Sequence, residues 1–164
     1  MSTNETDPLW LTDDEGAAWR SLVTSTMWLP SALDIQLQAD SGVSHFEYGV
    51  LSALSEQDDR TMRLSELARF ANSTLSRLSK VVNRLGDQGW VERRPDPEDG
   101  RSTLATLTDA GFAKVVATAP GHVARVRELV FDHLTRAEVK QLGSIAAKIS
   151  AAVGPDGACS GKLG

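Results

Sequence analysis

The chain has almost no cysteine: Cys159 is the only one in 164 residues. A single thiol cannot make an intrachain disulfide, so the fold must rest on a buried core, and such usage fits a reducing compartment. Long apolar runs are missing too. No stretch approaches the roughly 20 residues that a membrane-spanning helix needs. The polar, acidic start, 1–8, is not a secretory signal. These absences predict a cytoplasmic protein without membrane contact. Histidine is scarce, with His45, His122 and His133 alone. His122 and His133 lie roughly 16 Å apart along one expected helix, too far to share a metal. There is no Gly-rich phosphate loop, no HExxH pair and no nucleophile elbow. The expectation is therefore no metal, no cofactor and no catalysis. Asp96, Glu98 and Asp99 are close in sequence, but they read as a solvated turn.

An excess of basic residues is also lacking. The net charge is −5 and the sequence pI is about 5.2, which argues against a generic nucleic-acid binder. The distribution is more informative than the total. Residues 1–60 carry a net −9, whereas 61–107 and 108–164 each carry +2. The acidity is loaded at the front, and the middle is locally basic. An acidic flank would hold a DNA-binding middle off non-specific DNA.

What is present begins at 73–84. This stretch holds Arg77, Lys80 and Arg84 and no acid. Leu75, Leu78, Val81, Val82 and Leu85 recur at helical spacing and form an apolar stripe. Ser76, Arg77, Lys80, Asn83 and Arg84 share the other side, and Thr74 or Ser73 is a good N-cap. A short helix with one buried face and one basic, hydroxyl-bearing face can reach phosphates and base edges. Just before it, 65–71 reads as another short helix, and 72–74 as a tight turn. Two short helices so joined match helix-turn-helix geometry. Just after it, 90–95 and 102–107 alternate as two strands around the turn 96–101. This hairpin carries Arg93 and Arg94 on one arm, with Asp99 and Arg101 at its tip. A basic hairpin in that place is a wing.

Helices flank this unit. Thr12 with Glu15, Ser44 with Glu47, and Thr135 with Glu138 have capping-box spacing. They predict helices over 13–40, 45–57 and from 136 onward. Pro30 should kink the first or split it in two. Thr61-Met62-Arg63 has the length of a very short strand. Thr108-Asp109 caps a helix running to about 134, with a bend at Pro120-Gly121. That helix is too long to be buried against one small winged domain. The fold expected is mainly α with a small β-hairpin wing: a winged helix-turn-helix at 44–107, helices at 13–40 and 109–153, and disordered ends at 1–12 and 154–164.

The order of elements resembles the MarR (multiple antibiotic resistance regulator) family. The resemblance spans about 13–153. It is carried by Leu64-Ser65-Glu66-Leu67-Ala68, by Val82-Asn83-Arg84-Leu85 with Gly89-Trp90-Val91, by Asp96-Pro97-Glu98-Asp99-Gly100-Arg101-Ser102, and by Leu107-Thr108-Asp109-Ala110-Gly111. It implies a transcriptional regulator, a repressor by expectation, that binds a pseudo-palindromic double-stranded DNA operator as a homodimer. The N- and C-terminal helices would form the dimer interface. Carried over by position, Thr74, Ser76, Arg77 and Lys80 would face the major groove, and Arg84 would meet phosphate. Arg101 would enter the minor groove, with Asp99 holding its guanidinium, while Arg93 or Arg94 would contact the backbone. A small aromatic effector, in a cavity lined by Trp19, Trp28, His45 and Tyr48, would release the DNA. Some relatives sense peroxides through an N-terminal cysteine, which this chain does not have. The competing class is a winged-helix module that binds a protein instead of DNA.

Overall fold

A computed structural model of the chain describes residues 10–154. Cys159 and most of the two end segments expected to be disordered lie outside the described residues. Six α-helices and a three-stranded antiparallel sheet follow in order: α1 (Asp13–Ser41), α2 (His45–Ser55), β1 (Thr61–Arg63), α3 (Leu64–Phe70), α4 (Leu75–Asp87), β2 (Val91–Pro95), β3 (Thr103–Leu107), α5 (Asp109–Leu129) and α6 (Arg136–Val153). No helix among them is long and apolar enough to cross a membrane.

Local signals set most helix ends. All three capping boxes form, with each threonine or serine hydroxyl accepting from a backbone N–H and each glutamate reaching back to the cap. Gly42 ends α1 in the left-handed region at φ 64°, and Gly89 follows α4 at φ 73°. Glycine populates that region without the Cβ clash other residues suffer. Pro30 lies inside α1, which is one continuous helix and not two. Pro30 is exposed, so the carbonyl that loses its donor one turn earlier can turn to water. The expected helix from 109 to about 134 is shorter than its pattern. It stops at Leu129, and a 3-10 turn over Phe131–His133 leads to the Thr135 cap.

The core sits in the middle of the chain. Leu51 and Leu54 of α2, Leu67 of α3, Leu78, Val82 and Leu85 of α4, and Val91, Ala105 and Leu107 of the sheet are buried together. The strand order is β1-β3-β2. The brief β1 pairs Met62 with Ala105, and the wing strand β2 pairs Arg93 with the same residue on its other side. The flanking helices contribute little to this core. α1 buries only Leu33 and Leu37, and α6 buries none of its residues. Trp28 is 70% exposed and Ile35 is 72% exposed, alongside Met27, Val123, Ile145 and Ile149.

The end of the wing meets the first turn of α5 at a close approach. Thr108 donates its hydroxyl to Gly89 O at 2.7 Å and its amide to Trp90 O at 3.0 Å. A Cβ on Gly111 would lie 2.1 Å from the Trp90 carbonyl oxygen. The Leu107 side chain, 2.6 Å away, could shift, but the Trp90 carbonyl is backbone and cannot swing aside. Gly111→Ala is expected to lower stability by about 1–3 kcal/mol through overpacking, read as a fall in the urea midpoint. An unchanged midpoint would show that α5 and the wing do not pack this closely.

Candidate nucleic-acid interface

The recognition-type helix is α4. Thr74 is its N-cap, the hydroxyl accepting from Arg77 N at 3.2 Å. Leu78, Val81, Val82 and Leu85 turn inward, leaving Ser76, Arg77, Lys80, Asn83 and Arg84 exposed. Leu75 departs from the expected stripe and is 53% exposed. It opens the helix beyond the edge of the core, where it lines a groove of about 200 Å³ with Ser79, Arg93, Arg101 and Ser102. The groove therefore has one wall from α4 and one from the wing. Asn83 also accepts a hydrogen bond from Arg93, tying α4 to β2.

Both arginines of this helix are held from beneath. The Arg77 guanidinium lies 4.7 Å from the centre of the Phe46 ring. Arg84 Nε donates to Glu47 Oε1 at 2.6 Å. Burial alone would raise the Glu47 carboxyl pKa. The bonds from the Ser44 backbone and hydroxyl, together with Arg84, outweigh it and hold the group below its ordinary value. Ser76 and Lys80 project from the same helix, and Arg94 is exposed on β2.

The wing is built differently from expectation at two points. Asp99 does not grip the Arg101 guanidinium. Its Oδ1 accepts from the Arg101 backbone N–H at 3.1 Å, and its Oδ2 accepts from the Ser102 hydroxyl at 2.9 Å. In so tight a turn the nearest donors are main-chain ones, which leaves the arginine head outward. Asp96, expected to be solvated, is buried. It accepts from Glu98 N at 2.9 Å and from Arg63 Nε at 2.6 Å. The Glu98 amide, then the Arg63 guanidinium, outweigh burial and hold its carboxyl below its ordinary value.

The four residues expected to line one effector cavity fall in three places. Trp19 lines a shallow site with Trp10, Leu11 and Arg20. Trp28 lines an apolar groove of about 590 Å³ with Leu29, Leu129, His133 and Leu142. His45 and Tyr48 do come together, against His122 of α5. The His45 and His122 ring centres are 6.2 Å apart, and those of Tyr48 and His122 are 4.8 Å apart. One ring nitrogen of each of these two histidines is buried without a hydrogen-bond partner among the described residues, as are Thr118 Oγ1, one turn before His122 on α5, and Gln36 Oε1 of α1. Burial, and then the neighbouring His45, push the His122 pKa down, and burial raises that of Tyr48. Among the described residues no group of three or more His, Cys, Asp or Glu side chains could hold a metal ion. Sequence spacing carries no sign of His122 in this cluster, because α2 and α5 lie far apart in the chain.

Comparisons with known proteins place this geometry. The MarR family model matches residues 41–102. The crystal structure of Sco3205, a MarR family transcriptional regulator from Streptomyces coelicolor in complex with DNA, superposes with a TM-score of 0.84. It is 44% identical, over 92% of this chain and 94% of that one. The chain belongs to the MarR family. The HTH-type transcriptional repressor YetL of Bacillus subtilis is 27% identical over 115 residues, 68% of this chain and 69% of YetL. The HTH-type transcriptional repressor IacR of Pseudomonas putida is 31% identical over 100 residues. That match spans 57% of this chain and about half of IacR, 54%. The stretch that carries the MarR family match includes α2, the helix-turn-helix and most of the wing, and every candidate DNA-contact residue lies inside it.

The His122 environment has a consequence for pH. A histidine whose pKa is lowered on folding is protonated more readily in the unfolded chain. Its contribution to stability is complete above the unfolded value, about 6.5, and is lost as the pH falls below it. Urea midpoints at about pH 7.5 and about pH 5.5 should fall further apart in the parent protein than in His122→Gln. An equal fall in both would show that His122 is not kept neutral by the fold.

Proposed function

We propose that this protein is a transcriptional repressor that binds a pseudo-palindromic operator in double-stranded DNA as a homodimer. The observation that carries the reading is the joining of α4 to the wing. Arg93 and Arg101 of the hairpin line one groove with Leu75 and Ser79 of α4, and Arg77, Lys80 and Arg84 are exposed on the same helix, within a chain of net charge −5. Arg94, the next residue on β2, lines a separate site with Arg63 and Asp96. The named functions of YetL and IacR, and the DNA in the Sco3205 complex, support it.

In this reading Thr74, Ser76, Arg77 and Lys80 face base edges in the major groove, where hydroxyl, guanidinium and ammonium groups can read donors and acceptors. Arg84 and Arg94 meet phosphates. Arg101 enters the minor groove, whose narrow form attracts a cation, and Asp99 shapes the turn that carries it. The helices 13–40 and 109–153 cover their exposed apolar flanks against a second copy, and 44–107 forms the winged domain. Two-fold symmetry then sets half-sites about one helical turn apart. The His45–Tyr48–His122 cluster is the place for a small aromatic acid or phenol that would release the operator. Trp28 belongs to the dimer-facing groove. The reading assigns no catalytic step and a cytoplasmic location.

Arg101→Ala is expected to weaken operator binding about ten-fold or more, on the scale of a few kcal/mol for minor-groove and phosphate contacts, while sedimentation shows the same dimer. Undiminished affinity would remove the wing from the mechanism. Arg77→Ala should flatten the difference between operator and scrambled duplexes. Arg84→Ala should weaken both alike and reduce the log–log salt slope by about 0.9, one phosphate's worth. Equal losses on all sequences for both variants would refute the division into base-reading and phosphate-binding residues. A winged-helix module that binds a protein would show no such slope.

A further inference from the structure

The first turn of α2 faces two ways. His45 and Tyr48 are three residues apart, so they share a helix face, and both lie against His122 of α5. The His45 amide donates to Asp34 Oδ1 at 2.7 Å, which pins the same turn to α1. Phe46 and Glu47, between them, face α4 instead. One lies beneath the Arg77 guanidinium and the other accepts from Arg84. Four consecutive residues thus join both scaffold helices to the helix that carries the basic face.

Glu47 divides its carboxylate between two tasks. Oε2 accepts from Ser44 N at 2.8 Å and closes the capping box, while Oε1 takes Arg84 Nε at 2.6 Å. Its side chain is 12% exposed, against 60% for Arg84. The acid is the fixed member of the pair and the guanidinium is the one that faces outward. Held at Nε, a planar guanidinium still presents its two terminal nitrogens along its outer edge, the geometry that suits a phosphate. A free arginine would lose its rotamer freedom on binding, whereas a held one has already lost it.

We infer that Glu47 is a positioning residue for the DNA contact, fixing Arg84 for phosphate from beneath, and that Phe46 likewise fixes Arg77 for base edges. The inference rests on the operator-binding reading. It gives α2 a role besides core packing: the turn that caps the helix also aligns the two arginines of its neighbour. Neither residue need touch DNA.

The test is a double-mutant cycle on one operator duplex with the parent protein, Glu47→Gln, Arg84→Ala and the double variant, across a salt series. Glutamine can still close a capping box, so α2 is retained, and circular dichroism and sedimentation check fold and dimer. Glu47→Gln is expected to weaken binding about three- to ten-fold, the scale of one side chain's ordering. In the Arg84→Ala background it should change nothing further. Phe46→Leu keeps an apolar side chain but removes the aromatic face, and it should narrow the preference for operator over scrambled duplex as Arg77→Ala does. An equal loss from Glu47→Gln in both backgrounds would mean a merely structural role and overturn the proposal. So would unchanged or tighter binding by Glu47→Gln, or an unaltered preference in Phe46→Leu. If the parent protein shows no sequence preference and Arg84→Ala binds as it does, the operator reading itself fails, a result distinct from failure of the positioning role alone.

Discussion

The exposed apolar flank of α1, α5 and α6 is the constraint on which the rest depends. α1 runs about 43 Å at 1.5 Å per residue, yet only Leu33 and Leu37 along it are buried. Val116, Val123, Leu142, Ile145, Ile149 and Val153 are exposed on the two C-terminal helices. Contiguous apolar surface of this kind marks an interface. Covering it with a second copy is the economical solution, since one contact between identical flanks closes a two-fold dimer. That contact would also set the distance between two α4 helices. Overall shape and operator geometry then follow from the same uncovered residues.

The winged unit is held by a different kind of force. Its centre is apolar, but its outward cations are placed by partners underneath: Glu47 under Arg84, Phe46 under Arg77, Asn83 beside Arg93, and Asp96 against Arg63. Exposed ion pairs add little stability, so their value lies in where they leave a side chain. Asp96 is an exception, buried and satisfied by both a backbone amide and a guanidinium. It ties the start of the wing turn to Arg63 of β1 while Arg101 stays outward.

Much of the fold was legible in the sequence because its signals are local. Thr12, Ser44, Thr74, Thr108 and Thr135 all cap the helices their spacing announced. Gly42 and Gly89 take the left-handed conformations that end helices. Family membership was legible too, since its motifs are short and lie in one order. What failed was non-local or marginal. Leu75 fits the apolar period of α4, yet it sits where the core has already ended. The resemblance implies that Asp99 holds the Arg101 guanidinium, whereas the turn brings it the Arg101 backbone amide and the Ser102 hydroxyl. The single effector cavity that the resemblance implies for Trp19, Trp28, His45 and Tyr48 does not form, because their helices carry them to three separate sites. No spacing rule joins His45 to His122, which meet only because α2 packs on α5.

The most direct measurement is binding of the purified protein to a tiled set of short duplexes from its own upstream region, at two salt concentrations, with stoichiometry read by sedimentation. One inverted-repeat duplex should be preferred, bound by a dimer, with affinity falling steeply as salt rises. Weak binding to every duplex alike, or binding by a single chain with no salt dependence, would contradict it.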